Sequence, residues 1–89
     1  MVRGLKVGVF GYGYMGRIRH SVLRENQAIE RLSIFDPGLK NPPQTQAHEE
    51  FFIGGEPIPW DRLDAIFVCT PNHLTANLVI EALARKKHV

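Results

Sequence analysis

The sequence predicts an α/β fold: an incomplete doubly wound parallel sheet of about four strands with two main helices. Three observations carry that reading. Short β-rich runs alternate with segments of helical spacing along the chain. The first strand-to-helix junction is the glycine loop Gly11-Tyr12-Gly13-Tyr14-Met15-Gly16. Ala65 to Cys69 (Ala-Ile-Phe-Val-Cys) is a near-continuous apolar run, as in strands buried on both faces of a parallel sheet.

Leu5 to Phe10 forms the first strand, with Lys6 where a buried strand emerges into solvent. A helix follows from Tyr14 to about Glu25. Its apolar residues Met15, Ile18, Val22 and Leu23 fall at helical spacing, with Arg17, Arg19 and Arg24 between them. Asn26 is a suitable stop, because asparagine tolerates a left-handed turn. Arg31 to Phe35 alternates as a second strand and ends at Asp36-Pro37-Gly38, a strong turn signal. Residues 37–48, with Pro37, Pro42 and Pro43, read as loop or a poorly ordered helix. Phe51 to Ile53, before Gly54-Gly55, is a short third strand, and Pro57 and Pro59 keep the next segment irregular. Ala65 to Cys69 is the fourth. Asn72 then caps a second helix, whose stripe is Leu74, Leu78, Val79, Ala82 and Leu83 and which runs to about Arg85.

At 89 residues the chain is one domain or part of one. With 44% hydrophobic and 22% charged residues, it is neither disordered nor a coiled coil. The net charge of +2 is scattered except for Arg85-Lys86-Lys87, which suits a helix C-terminus. No aromatic or motif context makes that trio a nucleic-acid patch, so no nucleic-acid partner is expected. The single cysteine, Cys69, permits no internal disulfide and agrees with a reducing compartment. No apolar run approaches the roughly 20 residues that span a bilayer, and none of signal-peptide length precedes the glycines. The expected location is cytoplasmic, with no membrane partner. No metal-ligand pattern is expected.

The glycine spacing gains meaning from its context, since it follows a strand and opens a helix. Gly11 makes the tight turn, Gly13 lets the backbone approach a pyrophosphate, and Gly16 lets helix and sheet pack closely. The N–H groups around Tyr14 to Gly16 then face the phosphates. This dinucleotide fingerprint also calls for an acid about 20 positions further on, where Asp36 stands at the end of the second strand. Its carboxylate accepts hydrogen bonds from the adenosine ribose hydroxyls and repels a 2′-phosphate, which favours NAD over NADP. Two alternatives stay open. The glycines and Asp36 can be plain turn residues, and flavin or S-adenosylmethionine sites also pair glycine loops with acids.

Residues 63–89 (LDAIFVCTPNHLTANLVIEALARKKHV) resemble the fourth-strand region of the Gfo/Idh/MocA oxidoreductases, the family of glucose–fructose oxidoreductase and inositol dehydrogenase. The matching pieces are Asp64-Ala65, Thr70-Pro71-Asn72, Ala82-Leu83 and Lys87-His88-Val89. With the glycine loop and Asp36-Pro37, the resemblance spans nearly the whole chain. It implies the N-terminal, NAD(P)-binding Rossmann domain, here partial over residues 1–89. The implied reaction is hydride transfer between nicotinamide and a sugar, polyol or related hydroxy compound. Cofactor-binding residues would be Gly11, Tyr12, Gly13, Tyr14, Met15, Gly16, Asp36, Thr70, Pro71 and Asn72, with Thr70 and Asn72 along the nicotinamide half. His73 is read as a solvent-facing residue.

The sequence departs from the family pattern at three places. Arg19 stands where a histidine is common, with His20 one position later; Thr75 replaces another histidine; and Lys86 replaces a glycine. The family's Glu-Lys-Pro lysine and its substrate domain lie beyond residue 89, so no catalytic residue is expected within the chain. The fourth strand would then present an open apolar edge and promote self-association. A non-catalytic binding or assembly module remains an alternative, as does another Rossmann reductase such as a dihydrodipicolinate reductase or homoserine dehydrogenase.

Overall fold

The computed structural model describes residues 4–54, 57–70 and 72–89, together with the side chains of those residues except 72–74. Four strands form one parallel sheet: β1 (Leu5–Phe10), β2 (Ile29–Phe35), β3 (Glu49–Phe52) and β4 (Ala65–Val68). Their order is β3-β2-β1-β4. Helix α1 (Tyr14–Leu23) connects β1 to β2, a 3-10 turn (Trp60–Arg62) precedes β4, and α2 (Asn72–Ala84) follows it. The expected architecture is present, and its element bounds differ from the sequence reading by a few residues.

The period-two alternation of the strands divides the apolar residues between two cores. Val7 and Val9 of β1 and Leu32 and Ile34 of β2 pack on the α1 side, with Leu23, Phe51 and Cys69 against them. Phe10, Phe35 and Ile66 face the α2 side with Trp60, Leu63 and Ala82. The in-register residues Phe10, Phe35 and Phe52 stack across three strands, at centroid separations of 4.6 and 4.7 Å. Trp60 extends the stack beyond Phe10, and the Arg85 guanidinium lies 5.4 Å from its ring centroid. Cross-strand aromatic pairs of this kind hold register as well as burying area.

Helix α1 corrects the sequence reading. Of its apolar stripe only Leu23 is partly buried against the core, whereas Met15, Ile18 and Val22 are exposed. The buried positions are Gly16 and His20. The cause is steric: a Cβ on Gly16 would overlap the Gly11 carbonyl oxygen, so only this face can approach the sheet so closely. That contact sets the rotation of the helix about its axis. Positions four and seven residues after Gly16, His20 and Leu23, follow it inward.

The helix also ends at Leu23 rather than near Glu25. Its last turn tightens through Glu25 N–H to Val22 and Asn26 N–H to Leu23 bonds. Asn26 adopts no left-handed conformation; its Oδ1 instead accepts the Ala28 N–H at 2.9 Å and turns the chain into β2. In α2, Ala82 is buried and Leu78 and Val79 are half-buried, while Leu83 points outward. The expected cap at Asn72 becomes the first residue of the helix, and the side chains of Asn72, His73 and Leu74 lie outside the described residues, as does Gly55 beyond β3.

Two features at the far end of α2 bear on the fourth-strand edge. His88 bridges Ala65 in parallel, so the edge expected to be open is paired at its first step. Ile66 N–H donates to His88 O at 2.8 Å. The chain reaches that position through Lys86, which has a φ of 59° and is the one non-glycine with positive φ among the described residues. Lys86 N–H donates to Leu83 O and Lys87 N–H to Ala82 O, the paired bonds of a Schellman C-cap. Lysine tolerates this conformation at a cost of about 1–2 kcal/mol, partly offset in a glycine variant by the entropy of the unfolded chain. Lys86→Gly is therefore expected to stabilise the fold by about 0.5–1 kcal/mol. In urea titration its midpoint should rise with an unchanged slope; a lowered midpoint would contradict the cap geometry.

Candidate functional site

The carboxyl ends of β1, β2 and β4 meet at the glycine loop. Gly11 continues the ladder, its N–H donating to Phe35 O at 2.8 Å, while Cys69 N–H donates to Phe10 O at 2.7 Å. Gly11 has a φ of 94°, and a Cβ there would lie 2.6 Å from the Cys69 carbonyl oxygen. Both facts exclude a larger residue. At Gly13, by contrast, an added Cβ would meet nothing within 4 Å. The missing side chain there clears open space directly in front of the first turn of α1.

Gly13 caps that turn without a side-chain hydrogen bond, and the first intrahelical bond is Arg17 N–H to Gly13 O at 3.0 Å. The N–H groups of Tyr14, Met15 and Gly16 precede it and point out of the helix start. The first turn holds no acidic side chain. An anion placed before Gly13 thus meets N–H groups, the positive end of a helix dipole and no opposing carboxylate on the helix. Tyr14 and Met15 turn their side chains outward, so they contribute through the backbone.

Asp36 stands where the spacing places it, at the carboxyl end of β2. Its Oδ2 accepts the Tyr12 N–H at 2.8 Å and its Oδ1 accepts the Gly38 N–H at 2.9 Å. The second bond makes Asp36 a turn residue, and the first fixes the carboxylate beside the glycine loop. Each carboxylate oxygen has capacity for another donor, so turn and ligand roles are compatible. A cavity of about 270 Å³ lies on this flank, between Tyr12, Arg17, Asn41 and Pro43.

On the opposite flank, β4 delivers Cys69 and Thr70 to the other side of the loop. Thr75 Oγ1 donates to Thr70 O at 3.2 Å and lies 3.2 Å from Thr70 Oγ1. A cavity of about 400 Å³ opens here among Met15, Arg19, Cys69, Thr70 and Thr75. Burial pushes the Cys69 thiol up in pKa, with Arg19 opposing it, so the thiol stays protonated and unreactive near neutrality. Of the expected site residues, Gly11 to Gly16, Asp36 and Thr70 are brought to one edge. Pro71 and the side chain of Asn72 lie outside the described residues.

The sequence reading missed a polar chain beneath this edge. Tyr12 turns its ring inward, and its hydroxyl lies 2.7 Å from His20 Nδ1. His20 Nε2 lies 2.7 Å from Glu49 Oε2. Arg24 binds both oxygens of Glu49, at 3.0 and 2.8 Å, and Gln46 N–H donates to Oε1 at 2.8 Å. Burial raises the Glu49 pKa, but the Arg24, Gln46 and His20 donors outweigh it and leave it lowered to about 2. Glu49 is therefore a carboxylate and His20 Nε2 carries a hydrogen toward it, while His20 Nδ1 faces the Tyr12 O–H. Burial raises the Tyr12 pKa, so its hydroxyl keeps that proton. The periodicity of α1 held the signal: His20 is four residues after Gly16 and shares its buried face. Glu49 gave none, because the third strand was expected to begin at Phe51.

Among the described residues no group of three or more His, Cys, Asp or Glu could hold a metal ion, and no helix is long and apolar enough to cross a membrane. Comparison with protein families matches residues 5–89 to the model described as the oxidoreductase family with an NAD-binding Rossmann fold, Gfo/Idh/MocA. No curated protein and no solved structure matches the chain.

The depressed Glu49 pKa has a direct consequence for stability. Its folded value of about 2 lies below its ordinary value of 4.5. Its stabilisation is then complete above pH 4.5 and is lost as pH falls through about 2, by about 3 kcal/mol in all. Glu49→Gln should flatten this acid limb when unfolding free energy is measured between pH 5 and 2. An unchanged limb would show that Glu49 is not the titrating group.

Proposed function

The chain belongs to the Gfo/Idh/MocA oxidoreductase family and carries its NAD-binding Rossmann domain, and on that premise we propose that it binds NAD(H) along the carboxyl edge of the sheet. The pyrophosphate lies before Gly13 and the N–H groups of Tyr14 to Gly16. The adenosine ribose lies on Asp36, and the nicotinamide half runs toward Thr70 and the Thr70-Pro71-Asn72 segment. The observation that carries this reading is the open space at Gly13, flanked by closed contacts at Gly11 and Gly16. A loop whose outer glycines are required by packing keeps its middle glycine clear for a ligand.

Asp36 supports NAD over NADP. Its carboxylate is held by two backbone N–H groups, and it offers its remaining lone pairs to ribose hydroxyls. A 2′-phosphate in that place would meet a fixed negative charge within a few ångströms, which is repulsive even with solvent screening. Bound NAD supplies a hydride acceptor at nicotinamide C4. The residues named above bind and orient it. The complete reaction is hydride transfer with a sugar, polyol or related hydroxy compound, and residues 1–89 form the N-terminal dinucleotide-binding part of the protein that performs it.

Fluorescence titration with NADH and NADPH tests the cofactor assignment. NADH should bind at least about tenfold more tightly, a difference of about 1.4 kcal/mol. Asp36→Asn keeps an acceptor for the Tyr12 N–H but removes the charge, and should bring the ratio close to one. A wild-type preference for NADPH would overturn the role of Asp36.

A further inference from the structure

We propose that the polar chain Tyr12–His20–Glu49–Arg24, buried at His20 and Glu49, is a positioning device for the glycine loop, through which strand β3 sets the affinity for the dinucleotide pyrophosphate. The inference rests on the cofactor reading above and adds residues to it. Glycines are conformationally permissive, and a loop of alternating glycines has little to fix its own shape. Between Gly11 and Gly13 the only side chain is that of Tyr12, which makes it the handle by which the fold can hold the loop.

Tyr12 is gripped from several directions at once. Its N–H donates to Asp36 Oδ2 at 2.8 Å, and its hydroxyl lies 2.7 Å from His20 Nδ1. Its ring meets Phe51 edge-on at 5.3 Å and His20 at 5.4 Å, and the Arg17 guanidinium lies 5.6 Å from its ring centroid. The hydroxyl bond is only as rigid as the imidazole that receives it. His20 is 2% exposed and its other nitrogen is tied to Glu49. Glu49 in turn is held by Arg24 and the Gln46 N–H, leaving no buried side-chain polar atom unpartnered among the described residues. Fully satisfied buried networks of this kind confer rigidity.

Geometry also separates this role from core packing. A phenylalanine at position 12 would fill the same volume and keep the ring contacts, so the hydroxyl is not needed to occupy space. What it adds is direction: it fixes the ring, and through the ring the backbone whose N–H reaches Asp36. The same backbone carries Gly13. The pyrophosphate cradle is thus set by one residue, and that residue is set from β3, while the Asp36 carboxylate keeps its second anchor at the Gly38 N–H.

Two measurements on the full chain test this. In Tyr12→Phe, and in Glu49→Gln, which alters nothing in the loop itself, hydrogen exchange of the amide at position 12 should accelerate at least about tenfold in the ligand-free protein. Amides within β1 should keep their rates in Tyr12→Phe, and in Glu49→Gln should accelerate by no more than its loss of global stability predicts. The same variants should weaken NADH and ADP-ribose binding about three- to tenfold, while adenosine, which lacks the pyrophosphate, changes by less than about twofold. Unchanged exchange at position 12 in both variants overturns the proposal, whatever happens to binding. Equal losses for adenosine and ADP-ribose, or uniform acceleration throughout β1 in Tyr12→Phe, also overturn it, since both would report general loosening. If the wild-type chain binds no NADH yet position 12 responds as expected, the positioning role is supported and the cofactor reading falls separately.

Discussion

A three-way backbone contact governs the architecture of the carboxyl edge. The Gly11 carbonyl lies under Gly16, and the Gly11 Cα lies against the Cys69 carbonyl, so that loop, helix and fourth strand touch with no side chains between them. Interiors are packed to crystal-like density, and a contact this close admits no Cβ. The approach fixes where α1 starts, how it is rotated and how far β4 can advance beside β1. The placement of Gly13 and of the first helical N–H groups follows from it.

Rotation of α1 has a chemical consequence and a cost. Turning Gly16 to the sheet carries His20 inward, and a buried imidazole needs partners on both nitrogens. Tyr12 supplies one and Glu49 the other, with Arg24 compensating the carboxylate. The same rotation leaves Met15, Ile18 and Val22 exposed. Local hydrophobic patterning is thus overruled by a steric demand at the loop, the kind of conflict expected where a fold serves a ligand.

Those forces also explain how much was legible in the sequence. The strand β1, the glycine loop, Asp36 and the apolar run of β4 were readable because each has a local signature: alternation, fixed glycine spacing, an acid at a set distance, a continuous apolar run. A parallel sheet followed from strand–helix alternation, and its order, β3-β2-β1-β4, is seen in the structure. The facing of α1 was not readable from its apolar stripe, because the deciding contact joins Gly16 to a residue outside the helix. Glu49 was hidden because a charged residue opening a strand looks like loop until its partners arrive from α1. Lys86 was the reverse case. The absence of glycine at a position that wants one was visible, and the chain adopts the left-handed cap regardless, tied by bonds to Leu83 and Ala82.

Backbone amide shifts recorded during NADH titration of the isotope-labelled chain test the central claim most directly. The account predicts that the largest perturbations fall on Gly13 to Gly16 and on the amides of Tyr12 and Gly38 that bind Asp36, with saturation at a single affinity. Perturbations confined to the opposite end of the sheet, around Lys86 to His88, with the glycine loop unmoved, would contradict it.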